Sequence, residues 1–89
     1  MKTEFLKKFY KDLDKITLQD VRSNIADTIE NIESASNVGE IKNIKKLSGF
    51  RNAYRIKIGD YRVGVFIKKD LVEFARIANR KDIYRLFPR

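Results

Sequence analysis

Cysteine, histidine and tryptophan are absent from this 89-residue chain, and proline occurs once. Each absence removes a class of chemistry. Without cysteine there is no disulfide framework. Without cysteine and histidine there is no Cys/His zinc site. No thiol nucleophile exists, and no imidazole can serve as general base in a Ser-His or paired-His mechanism. Any reaction must be built from Lys, Arg, Tyr, Asp, Glu, Ser or Thr. Long apolar runs are missing as well. The longest, taking Gly64 as neutral, is Val63-Gly64-Val65-Phe66-Ile67, far short of the ~20 residues of a membrane span. The opening Met1-Lys2-Thr3-Glu4-Phe5 lacks the apolar stretch of a signal peptide. These features predict a soluble, cytoplasmic protein with no membrane partner.

What is present is a folded, basic chain. A hydrophobic content of 43% supports a packed core, and the length fits a single domain spanning residues 1–89. The 20 Lys and Arg outnumber the 12 Asp and Glu, for a net charge of +8. Residues 1–40 carry six cations against eight acids, a net −2, whereas residues 41–89 carry fourteen against four, a net +10. Charge gathered in one half suggests a surface that faces a polyanion.

The acidic half reads as helical. Leu6, Phe9, Tyr10 and Leu13 follow the i, i+3, i+4, i+7 rule, and Leu18, Val21, Ile25, Ile29 and Ile32 continue it. Both sets are expected to face the core. Thr17 is the expected N-cap of the second helix, with Asp20 as its partner. Ser34, Ser36, Asn37 and Gly39 form a stop signal. The picture is two antiparallel helices joined near Ile16-Thr17.

The basic half reads as strands. Residues 40–47 are extended, and Ser48-Gly49 makes a turn. Tyr54, Ile56 and Ile58 alternate with Arg55, Lys57 and Gly59. Tyr61, Val63, Val65 and Ile67 alternate with Arg62, Gly64, Phe66 and Lys68. Gly59-Asp60 is a two-residue hairpin connection, which pairs Ile58 with Tyr61, Lys57 with Arg62, Ile56 with Val63 and Arg55 with Gly64. Arg55, Lys57 and Arg62 then share one face, and the apolar residues share the other. Gly64 beside the cations leaves room for a close approach. Like charges directly opposed destabilise a sheet by a few tenths to about 1 kcal/mol. Only Asp60 and Glu73 are at hand to neutralise them, so the face suits a phosphate, for which arginine supplies a planar donor fork. The plainer alternative is a solvated sheet face. A run over 71–78 is a further strand. A two-residue Lys69-Asp70 loop would put Val72, Phe74 and Arg76 on the apolar side; a three-residue loop would put Glu73 there instead, and Arg76 receives no face. The segment from Asn79 to Arg89 mixes cations with aromatics, the combination that base and phosphate need.

Three stretches in this order carry a family resemblance: Lys46-Leu47-Ser48-Gly49, then Tyr54-Arg55-Ile56-Lys57-Ile58-Gly59-Asp60-Tyr61-Arg62-Val63, then Asn79-Arg80-Lys81-Asp82-Ile83-Tyr84-Arg85. Together with a head from Phe5 to Leu13, they resemble the RelE branch of the RelE/ParE toxin superfamily over nearly the whole chain. The resemblance implies an α+β fold, with two antiparallel N-terminal helices on an antiparallel sheet of about four strands and a short first strand near Lys2 to Phe5. It implies the toxin of a bacterial type II toxin–antitoxin system that cleaves messenger RNA in the ribosomal A site. The attacking group is the RNA's own 2′-hydroxyl, with no metal or other cofactor. The implied partners are the ribosome, its message and a small RelB-like antitoxin docking beside the helices.

Roles carry over where residues match. Arg55 and Lys57 occupy the two basic strand positions that handle proton abstraction and phosphate charge. Arg62 corresponds to the arginine that stabilises the phosphorane, Arg80 to the one that assists the leaving 5′-oxygen, and Tyr84 to the tyrosine that orients or stacks on RNA. The catalytic candidates are thus Lys57, Arg62, Arg80 and Tyr84. The RNA-binding candidates are Arg55, Lys57, Arg62, Lys81 and Arg85. Arg55 stands where the best-known RelE toxins have lysine. Arginine holds its proton too tightly for an efficient base, which makes Lys57 the better candidate. Asn79 stands where many relatives have histidine. Two other readings stay open: a ParE-like inhibitor of DNA gyrase, and a basic RNA- or ribosome-binding module without activity.

Overall fold

Strand alternation in the second half is realised as an antiparallel meander, and the helical stripes of the first half pack on one side of it. The computed structural model describes residues 1–88. In chain order it contains β1 (Lys2–Phe5), α1 (Lys7–Asp14), α2 (Gln19–Ser34), a 3-10 turn at Val38–Glu40, β2 (Ile44–Lys46), β3 (Ala53–Ile58), β4 (Tyr61–Lys68), β5 (Leu71–Asn79) and α3 (Ile83–Leu86). The sheet order is β1-β5-β4-β3-β2.

The expected sheet of about four antiparallel strands is corrected to five, of which β1 runs parallel to β5. The parallel pair follows from the path of the chain: α1 and α2 carry it to the far edge of the sheet, where β2 enters antiparallel to β1, and the three reversals from β2 to β5 leave β5 running with β1.

The helices cover one face. Phe9, Ile25 and Ile32 pack there against Ile56, Ile58, Val63, Val65, Val72, Phe74 and Ile77. Each large side chain buried in this layer contributes about 1.5–3 kcal/mol. Three members of the predicted stripes lie outside it: Leu6, Tyr10 and Leu18 are all exposed. Leu18 is the N-cap of α2, with an extended backbone, so helical periodicity does not govern where its side chain goes. Thr17 is therefore not the cap, and no side chain bonds the first turn of α2. The connection is closed instead by Arg22, whose Nη1 donates to the carbonyls of Leu13 and Ile16 at 3.0 and 2.8 Å. A cation at the end of α1 suits the exposed carbonyls there.

The Lys69-Asp70 loop has two residues, pairing Lys68 with Leu71. A bulge then resolves the face of Arg76. Val65 pairs with Phe74 but Gly64 pairs with Arg76, leaving Ala75 as the extra residue. The face alternation shifts at that point, so Val72, Phe74 and Ile77 are all buried in the helix-side core while Arg76 turns to the other face. Arg76 donates to Asp12 of α1, Nε to Oδ2 at 2.7 Å and Nη2 to Oδ1 at 3.0 Å. Asp12 Oδ2 also accepts the Ile77 N–H at 3.1 Å. The short β1 pairs only with residues 71–74. Asp12 therefore satisfies an edge donor of β5 that no strand reaches.

The face away from α1 and α2, here the open face, is only half open. Ala53, Ala75, Ile83 and Phe87 form a second buried cluster, flanked by Leu47, Phe66 and Ala78. The space expected beside Gly64 is filled by the chain itself: a β-carbon at position 64 would stand 2.5 Å from the Phe87 ring.

Candidate active site

Backbone register alone brings cations together on the open face. Lys57 pairs directly with Arg62 across β3 and β4, as the two-residue Gly59-Asp60 loop dictates, and Arg55 pairs with Gly64. On the other side of β3, Lys45 of β2 pairs with Arg55. Two rows result. One runs Lys45–Arg55–Gly64–Arg76 across four strands; the next runs Lys57–Arg62–Ala78. At the far corner Glu4 pairs with Glu73, so acid and base sit at opposite ends of the face.

Arg80 lies two residues past Ala78, the partner of Arg62. Its N–H donates to the Asp60 carbonyl at 2.8 Å, which fixes the end of β5 to the hairpin that carries Lys57 and Arg62. Arg62 Nη1 donates to the carbonyls of Gly59 and Tyr61, both at 2.9 Å. These bonds hold the guanidinium stem at the turn without neutralising it. Among the described residues the ion pairs are Asp12–Arg76 and Asp82–Arg85; Arg55, Lys57, Arg62, Arg80 and Lys81 take part in neither. Desolvation here is modest, since Lys57, Arg80 and Lys81 are exposed.

Arg76 is the basic residue whose proton affinity is clearly shifted. Hydrogen bonding to Asp12 raises it above the ordinary arginine value, helped by the carboxylate's charge and opposed by burial. Arg76 is therefore a committed structural cation rather than a free one.

Tyr84 and Arg85 stand apart from the hairpin cations. Tyr84, on α3, is 58% exposed and lines a cleft of about 420 Å³ with Leu47, Ser48, Phe50, Phe87 and Pro88. Arg85 is held by Asp82 at 3.0 Å. It borders a separate cavity of about 400 Å³ that Lys7, Lys8 and Arg76 also line. Lys81 sits in the turn before α3, where its N–H donates to Asn79 Oδ1 at 3.1 Å. Asn79 thus has a local structural task.

Two residues of this face escaped the sequence reading. Lys45 could have been placed by pairing the end of the 40–47 segment with the first hairpin strand, although that segment is not extended throughout: Glu40 ends a 3-10 turn, Asn43 has a φ of 62°, and the strand is confined to Ile44–Lys46. Phe50 gives no sequence signal, because its exposure depends on the conformation of the 47–52 connection between β2 and β3.

Chemically, such a set can bind phosphate oxygens and stabilise charge that develops on them. Lys57 and Tyr84 are the members able to move a proton. Among the described residues no group of three or more Asp or Glu side chains could hold a metal ion, and no helix is long and apolar enough to cross a membrane.

Comparison with known proteins converges on one family. The model of the ParE toxin of the type II toxin-antitoxin system parDE matches residues 3–84. Toxin RelE3 of Methanocaldococcus jannaschii is 38% identical over 89 residues, 99% of this chain and 100% of that protein. A chain of the RelB-RelE antitoxin-toxin complex from Methanococcus jannaschii has a TM-score of 0.80 at 36% identity, covering 96% of this chain and 99% of that one. A chain of the archaeal RelE-RelB complex from Pyrococcus horikoshii OT3 has a TM-score of 0.73 at 19% identity, over 92% and 97%, a likeness of fold. Family model, relative and fold agree with the hairpin motif, and the chain belongs to the RelE/ParE superfamily as a RelE-type toxin.

Proposed function

We propose that this toxin is a ribosome-dependent, metal-independent endoribonuclease that cuts message in the A site and so stops translation. The observation that carries this reading is the directly opposed Lys57–Arg62 pair, free of any acid partner among the described residues. Arg80 is tied to the same turn through Asp60. In-line attack by a 2′-hydroxyl passes through a phosphorane with added negative charge. Cations held where that charge develops are worth ~10²–10³ in rate apiece. In the proposed division of labour Lys57 takes the 2′-hydroxyl proton, Arg62 stabilises the phosphorane and Arg80 assists the departing 5′-oxygen. Arg55, Lys81 and Arg85 hold flanking phosphates, and Tyr84 orients the RNA. Side chains so rich in charge and so poor in proton-transfer groups gain from a ribosome that positions the message, since orientation can contribute ~7–11 kcal/mol. The partner proposed is a RelB-like antitoxin, by analogy with the RelB complexes of the structural relatives. Exposed Tyr10 and Leu18 on the helical side offer it apolar surface. The setting is the cytoplasm, where ribosomes and message are found.

The test is primer extension on message translated by programmed ribosomes, with wild-type protein and Arg80→Ala. Cleavage within the A-site codon by the wild type, lost or sharply reduced in Arg80→Ala, is the expected result. Intact message in all codon contexts, with translation still blocked, overturns the reading. The matching family model bears the ParE name, which favours gyrase inhibition as the second reading. Under it, toxicity survives Arg62→Ala combined with Arg80→Ala, and DNA breaks accumulate.

A further inference from the structure

We propose that the segment from Lys45 to Phe50 forms a nucleotide subsite beside the cleavage centre, with Lys45 holding a phosphate and Phe50 stacking on the adjoining base. The inference rests on the RNA-cleaving reading above and adds two residues that the family roles do not cover.

Lys45 pairs with Arg55, which puts it one row from Lys57 and Arg62 on the same face. Lys45 is exposed and has no ion-pair partner among the described residues. Along the extended chain, Leu47 is two residues on, roughly 7 Å away, and Leu47 opens the cleft that Phe50 and Tyr84 also line. Phe50 is 46% exposed, although it lines the same cleft as Leu47 and Phe87 of the apolar cluster on this face. A cation two strand residues from the cleft and an uncovered aromatic ring lining it supply the charge and the stacking face that one nucleotide needs. Single strands are held in this way, by charge along the backbone and stacking on aromatic faces. The occupant is therefore a nucleotide of single-stranded RNA continuous with the one held at Lys57 and Arg62. Because the base is seated, the subsite contributes to codon preference.

The full chain is titrated with a short single-stranded RNA. The RNA carries 2-aminopurine next to a 2′-O-methylated nucleotide, which prevents cleavage. Wild-type protein is expected to quench the probe. Phe50→Ala should weaken binding about 5- to 150-fold, the range for losing one base–aromatic stack, and Phe50→Trp should restore it. Lys45→Gln should lower the log–log salt slope by about 0.7. Both positions are exposed, so circular dichroism of the variants should match the wild type. Absence of quenching, or quenching and affinity indifferent to Phe50, overturns the subsite. That result is separable from failure of the cleavage reading, which shows as intact message on ribosomes whatever the probe reports.

Discussion

Phe87 lies on Gly64. A β-carbon at position 64 would meet three atoms of its ring at 2.5 to 2.8 Å, and Phe87 is 2% exposed, with the Phe66 ring tilted at 49° to its own and 5.0 Å away. The sequence places these residues 23 apart, yet the open face closes through them. Gly64→Ala cannot be relieved by a flexible side-chain end, because the clash includes the ring carbon nearest the backbone. Overpacking of this kind costs about 1–3 kcal/mol. The expected outcome is a lower urea midpoint with an unchanged slope. RNA cleavage should also fall, because displacing Phe87 shifts α3 and Tyr84 with it. Cleavage at wild-type level in a destabilised Gly64→Ala protein would separate the C-terminal segment from function.

Asp12 accepts from Arg76 Nε, Arg76 Nη2 and the Ile77 N–H. Asp12→Ala leaves a partly buried guanidinium and an edge N–H without partners, so the expected destabilisation is about 1–3 kcal/mol. Asp12→Asn keeps an acceptor and should cost less. The raised proton affinity of Arg76 sets the sign of the pH effect. A raised folded value contributes stability that is complete below the ordinary arginine range and is lost only as pH climbs beyond it. Moderately alkaline buffer should therefore leave the Asp12–Arg76 contribution intact. A stability gap between wild type and Asp12→Ala that closes in mild alkali would contradict this.

How much was legible in the sequence depended on range. The Gly59-Asp60 loop has two residues and side chains alternate, so the Lys57–Arg62 and Arg55–Gly64 pairs followed from local rules alone. The helices followed from apolar spacing, but the exposure of Leu6, Tyr10 and Leu18 did not; Leu6 and Leu18 are N-caps with extended backbone, outside the helical repeat. The face of Arg76 was closed to sequence reasoning. It is set by a bulge at Gly64 and Val65, and by Asp12, 64 residues away in the chain. β1 pairs through four residues only, too few for a pattern to show that it runs parallel to β5. The filling of the space beside Gly64 is likewise a long-range event. The cations of the site were thus readable from the hairpin, whereas the cleft at Phe50 and Tyr84 required the fold.

Arg62 and Arg80 should separate from the scaffold cleanly. Arg62 bonds two exposed or half-exposed carbonyls, and the Arg80 hydrogen bond to Asp60 uses the backbone N–H. Either alanine variant should lose less than about 1 kcal/mol of stability, yet cut cleavage ~10²–10³-fold. Thermal melts paired with single-turnover cleavage make the comparison. A rate loss that tracks the stability loss would assign these residues to structure instead.

Lys57 tests whether the site moves a proton or only holds charge. It is exposed, and its cross-strand partner is Arg62, so substitution should leave the hairpin intact. Lys57→Arg keeps the positive charge but substitutes a group that does not give up its proton in proteins. Lys57→Gln removes both the charge and the base. If Lys57 accepts the 2′-hydroxyl proton, Lys57→Arg should bind RNA as tightly as the wild type while cleaving ~10²–10⁴-fold more slowly, the usual contribution of general base catalysis. Lys57→Gln should lose rate and also weaken binding, with a shallower salt dependence, because one fewer phosphate is neutralised. If Lys57 serves charge alone, Lys57→Arg should cleave at close to the wild-type rate and only Lys57→Gln should fail. In that case the proton must leave by another route, with Tyr84 the remaining side chain of the set able to carry it. Single-turnover cleavage of ribosome-bound message, measured for both variants beside binding to a 2′-O-methylated RNA, distinguishes the two.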